Sequence, residues 1–229
     1  MDFPYRSALI VGAGSGISAS LARRLAGVGV KIALAARNVQ KLDALVREIG
    51  GQAFGADASD PKSVARLFDQ VTDRIAEPEV VVYNAGARAH GPLAELDPNV
   101  VQKAVEITAF GGFLVAQQAA RCMVPRGRGA ILFTGATASV KGFAHSAAFA
   151  MGKFALRGLA QSAARELGPK GIHVAHFVID GGVRSATRPD TGDRMLDPDG
   201  IAQTYIDVLR QPRNAWSLEV ELRPWVEAF

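Results

Sequence analysis

Seven short apolar runs recur along this chain, at residues 8–11, 31–36, 52–56, 80–83, 130–134, 172–179 and 218–222, with helix-length amphipathic stretches between them. Several of the runs lack polar alternation, the pattern of strands covered on both faces. Strands of this kind alternating with helices predict an α/β fold: a doubly wound parallel sheet of about seven strands with helices on both faces.

Helix punctuation agrees with that rhythm. An aspartate followed by proline occurs three times, at Asp60 with Pro61, Asp97 with Pro98 and Asp197 with Pro198. Each pairs an N-cap acceptor with the residue best tolerated at the first helical position. Glycines at 27 and 29, 50 and 51, and 168 and 171 supply the left-handed residues that stop helices. No repeat or linker divides the chain, and 229 residues suffice for one core, so residues 1–229 are expected to form a single domain. The loosest segment, 185–200, is a loop of the length that often covers a ligand.

Composition narrows the function. The single cysteine, Cys122, cannot form an intrachain disulfide, and neither a signal core at residues 1–6 nor a membrane-length apolar run is present, so a cytoplasmic protein is expected. The net charge of +4 is spread along the chain rather than clustered, which argues against nucleic acid and suits an anionic small molecule.

The first apolar run leads straight into Gly12, Ala13, Gly14, Ser15, Gly16, Ile17 and Ser18, after which residues 19–26 read as a helix. Such a turn gathers backbone N–H groups at the positive end of a helix dipole, and its glycines let phosphates approach. A tight turn needing left-handed residues is the plain alternative. The spacing departs from GxGxxG because Ile17 stands where that pattern needs its last glycine. After the second run, Ala36 and Arg37 occupy the place where NAD-binding Rossmann proteins set an acid against the adenosine ribose. A carboxylate repels a 2′-phosphate and an arginine pairs with it, so the expected cofactor is NADP(H) ahead of NAD(H), unless Arg37 is only a solvated loop residue.

The turn resembles the TGxxxGxG turn of short-chain dehydrogenases/reductases, with Gly12 and Gly16 matching, Val11 replacing threonine and Ser18 replacing the last glycine. The resemblance covers nearly the whole chain and is gapless from Ile131 to Lys153. It implies that Gly14, Ser15 and Ile17 lie in the pyrophosphate turn and that Asp57 contacts adenine. Asn84, Ala85 and Gly86 are similar to the family's NNAG segment, with Tyr83 replacing its first asparagine, and would shape the cofactor site. Gly181, Val183 and Ser185 fall in a segment similar to PGxVxT, with Asp180 for its proline, and would border the nicotinamide.

Lys153 matches the family's active-site lysine. Counting back from it sets the tyrosine position at Phe149 and the serine position at Ala136, and aligning residues 111–117 sets the asparagine position at Thr108. The resemblance thus implies a degenerate catalytic tetrad, because a phenyl ring has no proton to give a substrate oxygen. Of the family lysine's two tasks, lowering the tyrosine pKa and holding the nicotinamide ribose, only the second survives. Ser18 adds a side chain where helix, cofactor and sheet converge, which lowers the expected affinity.

Sequence position nominates Thr137, Ser139, His145, Ser146, Thr108 and the Lys153 ammonium as substitute donors, with Tyr83 at the cofactor edge and Asp180 as either a new acid or a turn residue. His173 and His176 point to opposite faces of one strand, which argues against a metal. Two functions stay open: an NADP(H)-dependent reductase of a small molecule, acting on C=C or carbonyl with a displaced proton donor, and a cofactor-binding protein without turnover, serving as sensor or partner subunit. A Rossmann enzyme of another kind, such as a methyltransferase, would make the Lys153 frame a coincidence. The helices expected at 100–123 and 147–167 carry Gly111, Gly112, Gly152 and Gly158 and pair across subunits in the family, which implies a homodimer or homotetramer, with Trp225 and Phe229 as further apolar contacts.

Overall fold

Seven parallel strands form one sheet in the order β3-β2-β1-β4-β5-β6-β7. They are β1 Ser7–Val11, β2 Lys31–Ala36, β3 Gln52–Gly55, β4 Val80–Tyr83, β5 Gly129–Thr134, β6 Ile172–Ile179 and β7 Glu219–Leu222. A computed structural model describes residues 3–190 and 192–227 of the chain; Phe229 and Thr191 of the 185–200 loop lie outside them. Every expected strand is present, with boundaries within a residue of expectation.

Side-chain alternation along these strands builds two apolar layers. Ala8, Ile10, Ile32, Leu34, Val80 and Val82 face α1 Ile17–Gly27, α2 Asp43–Ile49 and α7 Pro198–Leu209. Leu9, Val11, Ala33, Ala35, Val81 and Tyr83 face α3 Pro61–Arg74, α5 Gly111–Met123 and α6 Ala147–Leu167. The apolar runs needed no polar alternation because both sheet faces are covered.

The aspartates cap as expected. Asp60 accepts from the backbone N–H groups of Lys62 and Ser63, Asp97 from Asn99 and Asp197 from Asp199, each with proline next in the chain. The long loop therefore ends at Asp197, before Gly200. The first helix starts at Ile17 rather than at residue 19, with Gly16 as its N-cap.

The helix expected over residues 100–123 is present and continuous, with one widened turn inside it. Helix α4 Pro98–Val105 passes into a π-helical segment, Glu106–Phe110, before α5. The cause lies in Tyr83, fully buried at the end of β4, whose hydroxyl donates to the Ile107 carbonyl. A Cβ at Gly111 would lie 2.5 Å from the Tyr83 hydroxyl, so tyrosine and glycine fit one another at this widened turn. Such π segments frequently mark functional sites.

At the C-terminal edge of the sheet, β1 pairs with β2 on one side and with β4 on the other, aligning Val11 with Ala35 and with Tyr83. The following segments depart to opposite faces, which opens a crevice at this switch point. Among the described residues, no helix is long and apolar enough to cross a membrane.

Candidate cofactor and active site

The crevice holds two cavities that share Asn84 and Gly86. The first, about 460 Å³, is bounded by the turn after β1 through Gly12, Gly14 and Ser15, by Arg37 and Lys41 beyond β2, by Asp57, and by Asn84, Ala85 and Gly86. Gly12 has φ +83°, and a Cβ there would lie 2.3 Å from the Ala85 nitrogen, so only glycine lets the two loops close. At Gly14 and Gly16 a Cβ would meet nothing within 4 Å. Gly16 caps α1 without a side chain, leaving the helix's first N–H groups for an anion. This open space beside uncapped donors fits a dinucleotide pyrophosphate.

Ser18 behaves differently from expectation. It is buried, its hydroxyl lies 3.4 Å from the Gly12 carbonyl, and it accepts a 2.9 Å hydrogen bond from the Asn84 amide. Asn84 also donates to the Gly12 carbonyl at 3.2 Å, and its backbone N–H to the Val11 carbonyl at 2.8 Å. The serine braces Asn84 from behind and does not line the first cavity. Asp57 accepts from the backbone and hydroxyl of Ser59, and these bonds hold its pKa below the usual carboxylate range.

The second cavity, about 400 Å³, gathers Ile17, Ala136, Phe149, Lys153, Gly181 and Val183 from four segments, together with Arg88, Thr134 and Arg188. Lys153 is 5% exposed and donates to the Thr134 carbonyl at 2.6 Å. Burial pushes its pKa down to about 8, and the charge of Arg88 adds to the effect. The Phe149 ring lies beneath Arg88, with the guanidinium carbon 4.1 Å from the ring centroid and the Lys153 ammonium 5.8 Å from it.

Of the nominated donors, Lys153 alone lines this cavity among the described residues. Thr108 is fully buried and accepts from the Ala87 N–H at 3.0 Å, behind the cavity wall. Ser139 accepts from the Ala136 N–H at 3.1 Å. Tyr83 is tied to Ile107, and burial raises its pKa above the usual phenol value. His145 sits at φ +64° beside His90. Thr137 and Ser146 are not in the cavity wall. Asp180 is buried against Arg223 at 3.0 Å. The one hydroxyl in the wall, on Thr134, bonds the buried Tyr205 hydroxyl at 2.8 Å.

Two expected cofactor residues line neither of these cavities. Gly16 and Ser185 border a neighbouring depression at the start of α1, and the Ser185 hydroxyl accepts from the Arg188 N–H at 3.1 Å instead of facing the second cavity. Sequence reading missed Lys41, Arg88 and Arg188. Lys41 lies close beyond Arg37 and Arg88 two residues past Gly86, spacings that could have raised both. His173 packs against Trp216 and bonds the Ser217 carbonyl, while His176 contacts Glu219, and no metal-ligating cluster occurs among the described residues.

A doubly wound sheet with a glycine turn on β1 and a cleft at the switch point defines a Rossmann-type nucleotide-binding architecture. The family model for short chain dehydrogenase matches residues 6–194, and the chain belongs to that family. It is 32% identical over 181 residues to the 3-oxoacyl-(acyl-carrier-protein) reductase MabA of Mycobacterium avium, covering 78% of this chain and 68% of that one. A short-chain dehydrogenase from Rhodopseudomonas palustris superposes with a TM-score of 0.84 at 36% identity, over 96% of this chain and 99% of the other. A metagenomic short-chain oxidoreductase in complex with NADP gives 0.85 at 28% identity, over 96% and 98%.

The burial of Lys153 makes a testable demand. Its pKa of about 8 lies below the ordinary 10.5, so between those values the unfolded chain binds more protons and stability rises with pH. Below pH 8 the whole penalty is present, on the order of 3 kcal/mol. Lys153→Met should therefore stabilise the cofactor-free protein at pH 7 by about 1–3 kcal/mol and remove the rise above pH 8. Urea denaturation across pH checks this, and a variant no more stable than the parent contradicts it.

Proposed function

We propose that this protein is an NADP(H)-dependent oxidoreductase of small molecules, reducing C=C or carbonyl groups, in which the family's tyrosine and serine positions are held by Phe149 and Ala136 and the asparagine position by Thr108. The carrying observation is the pair of adjoining cavities, with Arg37 and Lys41 at one end and the buried Lys153 at the other. A bound nicotinamide cofactor would supply or accept hydride. Arg37 and Lys41 would hold its 2′-phosphate, the turn from Gly12 to Ile17 its pyrophosphate, Asp57 its adenine and Lys153 its nicotinamide ribose. Asn84, Ala85, Gly86, Gly181 and Val183 would shape the walls around it.

The NADP complex of a structural relative supports the cofactor, and the oxoacyl reductase among the sequence relatives supports reduction. With no tyrosine, the Lys153 ammonium is the remaining proton source within the wall, and its lowered pKa makes it a better acid than an ordinary lysine. A second reading, cofactor binding without turnover as a sensor or partner subunit, draws on the same hydroxyl-poor wall. We place the protein in the cytoplasm, in keeping with its lone thiol.

Thermal shifts should be larger with NADPH and NADP⁺ than with NADH and NAD⁺. Arg37→Asp should weaken NADPH at least roughly tenfold and leave NADH nearly unchanged, because it exchanges a phosphate-pairing cation for a repelling carboxylate. Equal losses for both would remove Arg37 from the 2′-phosphate site.

Restoring Tyr at Phe149 and Ser at Ala136 together should raise ketone reduction by about 10²-fold or more, the usual worth of a positioned acid. Steady-state NADPH oxidation reads this, and no gain would mean that these positions do not face the substrate oxygen.

Phe110, Phe113, Met151 and Phe154 are exposed on the π segment, α5 and α6, and we propose that this apolar face pairs with a second copy to give a homodimer or homotetramer. Sedimentation at micromolar concentration should show the oligomer, with Phe154→Glu shifting it toward monomer. A monomeric parent protein contradicts the pairing.

A further inference from the structure

We propose that the second cavity selects a substrate bearing a carboxylate beside its reacting carbon, held by the Arg88 guanidinium; this rests on the nicotinamide reading above. The wall carries Arg88, Arg188 and Lys153 and no aspartate or glutamate. Asp180, the acid nearest in sequence to the Gly181 wall, is occupied by Arg223. The Glu227 carboxylate approaches the wall from behind Gly181, but three cations stand in the wall itself against no acid among its described residues, and such an excess in a partly enclosed site attracts an anion.

Arg88 is the member placed at the chemistry. Among the described residues its guanidinium packs on the face of Phe149, at 4.1 Å, a contact that uses its charge and none of its five N–H donors. Those donors form a planar fork that matches a carboxylate bidentately. Phe149, Ala136 and Lys153 surround the same space, so a carboxylate on this fork would set the adjoining carbon beside the nicotinamide end of the crevice. Burial is the larger cause of the lowered Lys153 pKa, and the Arg88 charge adds electrostatic strain to it. An anion between them relieves it.

The cofactor's own phosphates are a weaker claim on Arg88. The pyrophosphate turn, Arg37 and Lys41 border the first cavity, whereas Arg88 borders only the second. With about 400 Å³ to share with a nicotinamide ring, the second cavity suits a small acid.

The test uses the full chain saturated with NADP⁺, titrated with 2-oxo and 2-enoic carboxylates of short to medium chain length, their primary amides, and inorganic phosphate, and followed by thermal shift. The carboxylates should bind roughly tenfold tighter than the matched amides, the usual worth of a charge-assisted pair at a partly exposed site. Arg88→Leu should abolish that preference in protein still saturated with NADP⁺, and Arg88→Lys should retain part of it. Equal binding of acids and amides, failure of every acid to bind, or a preference that survives Arg88→Leu overturns the proposal. Phosphate that competes as well as the acids overturns the carboxylate assignment. A parent protein that ignores NADP⁺ overturns the cofactor reading itself, and the proposal with it.

Discussion

Asn84 ties together the two loops between which the crevice opens. Its backbone follows β4 and bonds the end of β1, while its amide reaches the Gly12 carbonyl and the Ser18 hydroxyl. Three bonds from one residue thus fix the strand, the glycine turn and the first turn of α1 relative to one another. The approach is close enough that Gly12 admits no side chain. With these pieces fixed, the turn leading into α1 borders the first cavity and Ile17, the first residue of α1, the second, and Asn84 itself becomes part of the wall that both cavities share.

Lys153 shows the cost of that organisation. A buried ammonium with a single backbone carbonyl as hydrogen-bond partner destabilises the empty protein, and a second cation nearby increases the strain. Structures keep such strain where binding or chemistry uses it. The described side chains lining the cavity beside this lysine carry charge, an amide, apolar surface and a single hydroxyl, which Tyr205 engages, so this end of the crevice can attract and orient a ligand more readily than it can protonate one. That balance separates the chain's proposed chemistry from the tyrosine-based proton transfer of its family.

Much of the fold was legible because its signals are local. Unbroken apolar runs marked the strands, Asp-Pro pairs marked three helix starts, and Gly50 and Gly171, both at positive φ, marked two stops. The π-helical turn between α4 and α5 was not legible, since the hydroxyl that meets it arrives from β4. Tyr83 looked like a spare proton donor for the same reason: its position near the cofactor edge was visible, but its burial against Ile107 was not. Ser18 was read as an obstruction because the sequence does not show that its side chain turns toward Asn84. Within the site, the glycine turn, Asp57, Asn84 and Lys153 followed from motif and spacing. Arg88 did not, because its place depends on a ring from a distant helix that only the folded chain brings beneath it.

On the reading proposed above, the crevice is a dinucleotide site whose substrate end offers one protein hydroxyl, that of Thr134, already bonded to Tyr205. A crystal structure of the NADP⁺ complex tests it most directly. The account predicts the 2′-phosphate between Arg37 and Lys41, the nicotinamide ribose within hydrogen-bond reach of the Lys153 ammonium, and Phe149 and Arg88 facing the nicotinamide with no protein hydroxyl beyond that of Thr134 in reach of the substrate oxygen's place. A ribose held away from Lys153, or a further tyrosine, serine or threonine hydroxyl brought into that space, would contradict it.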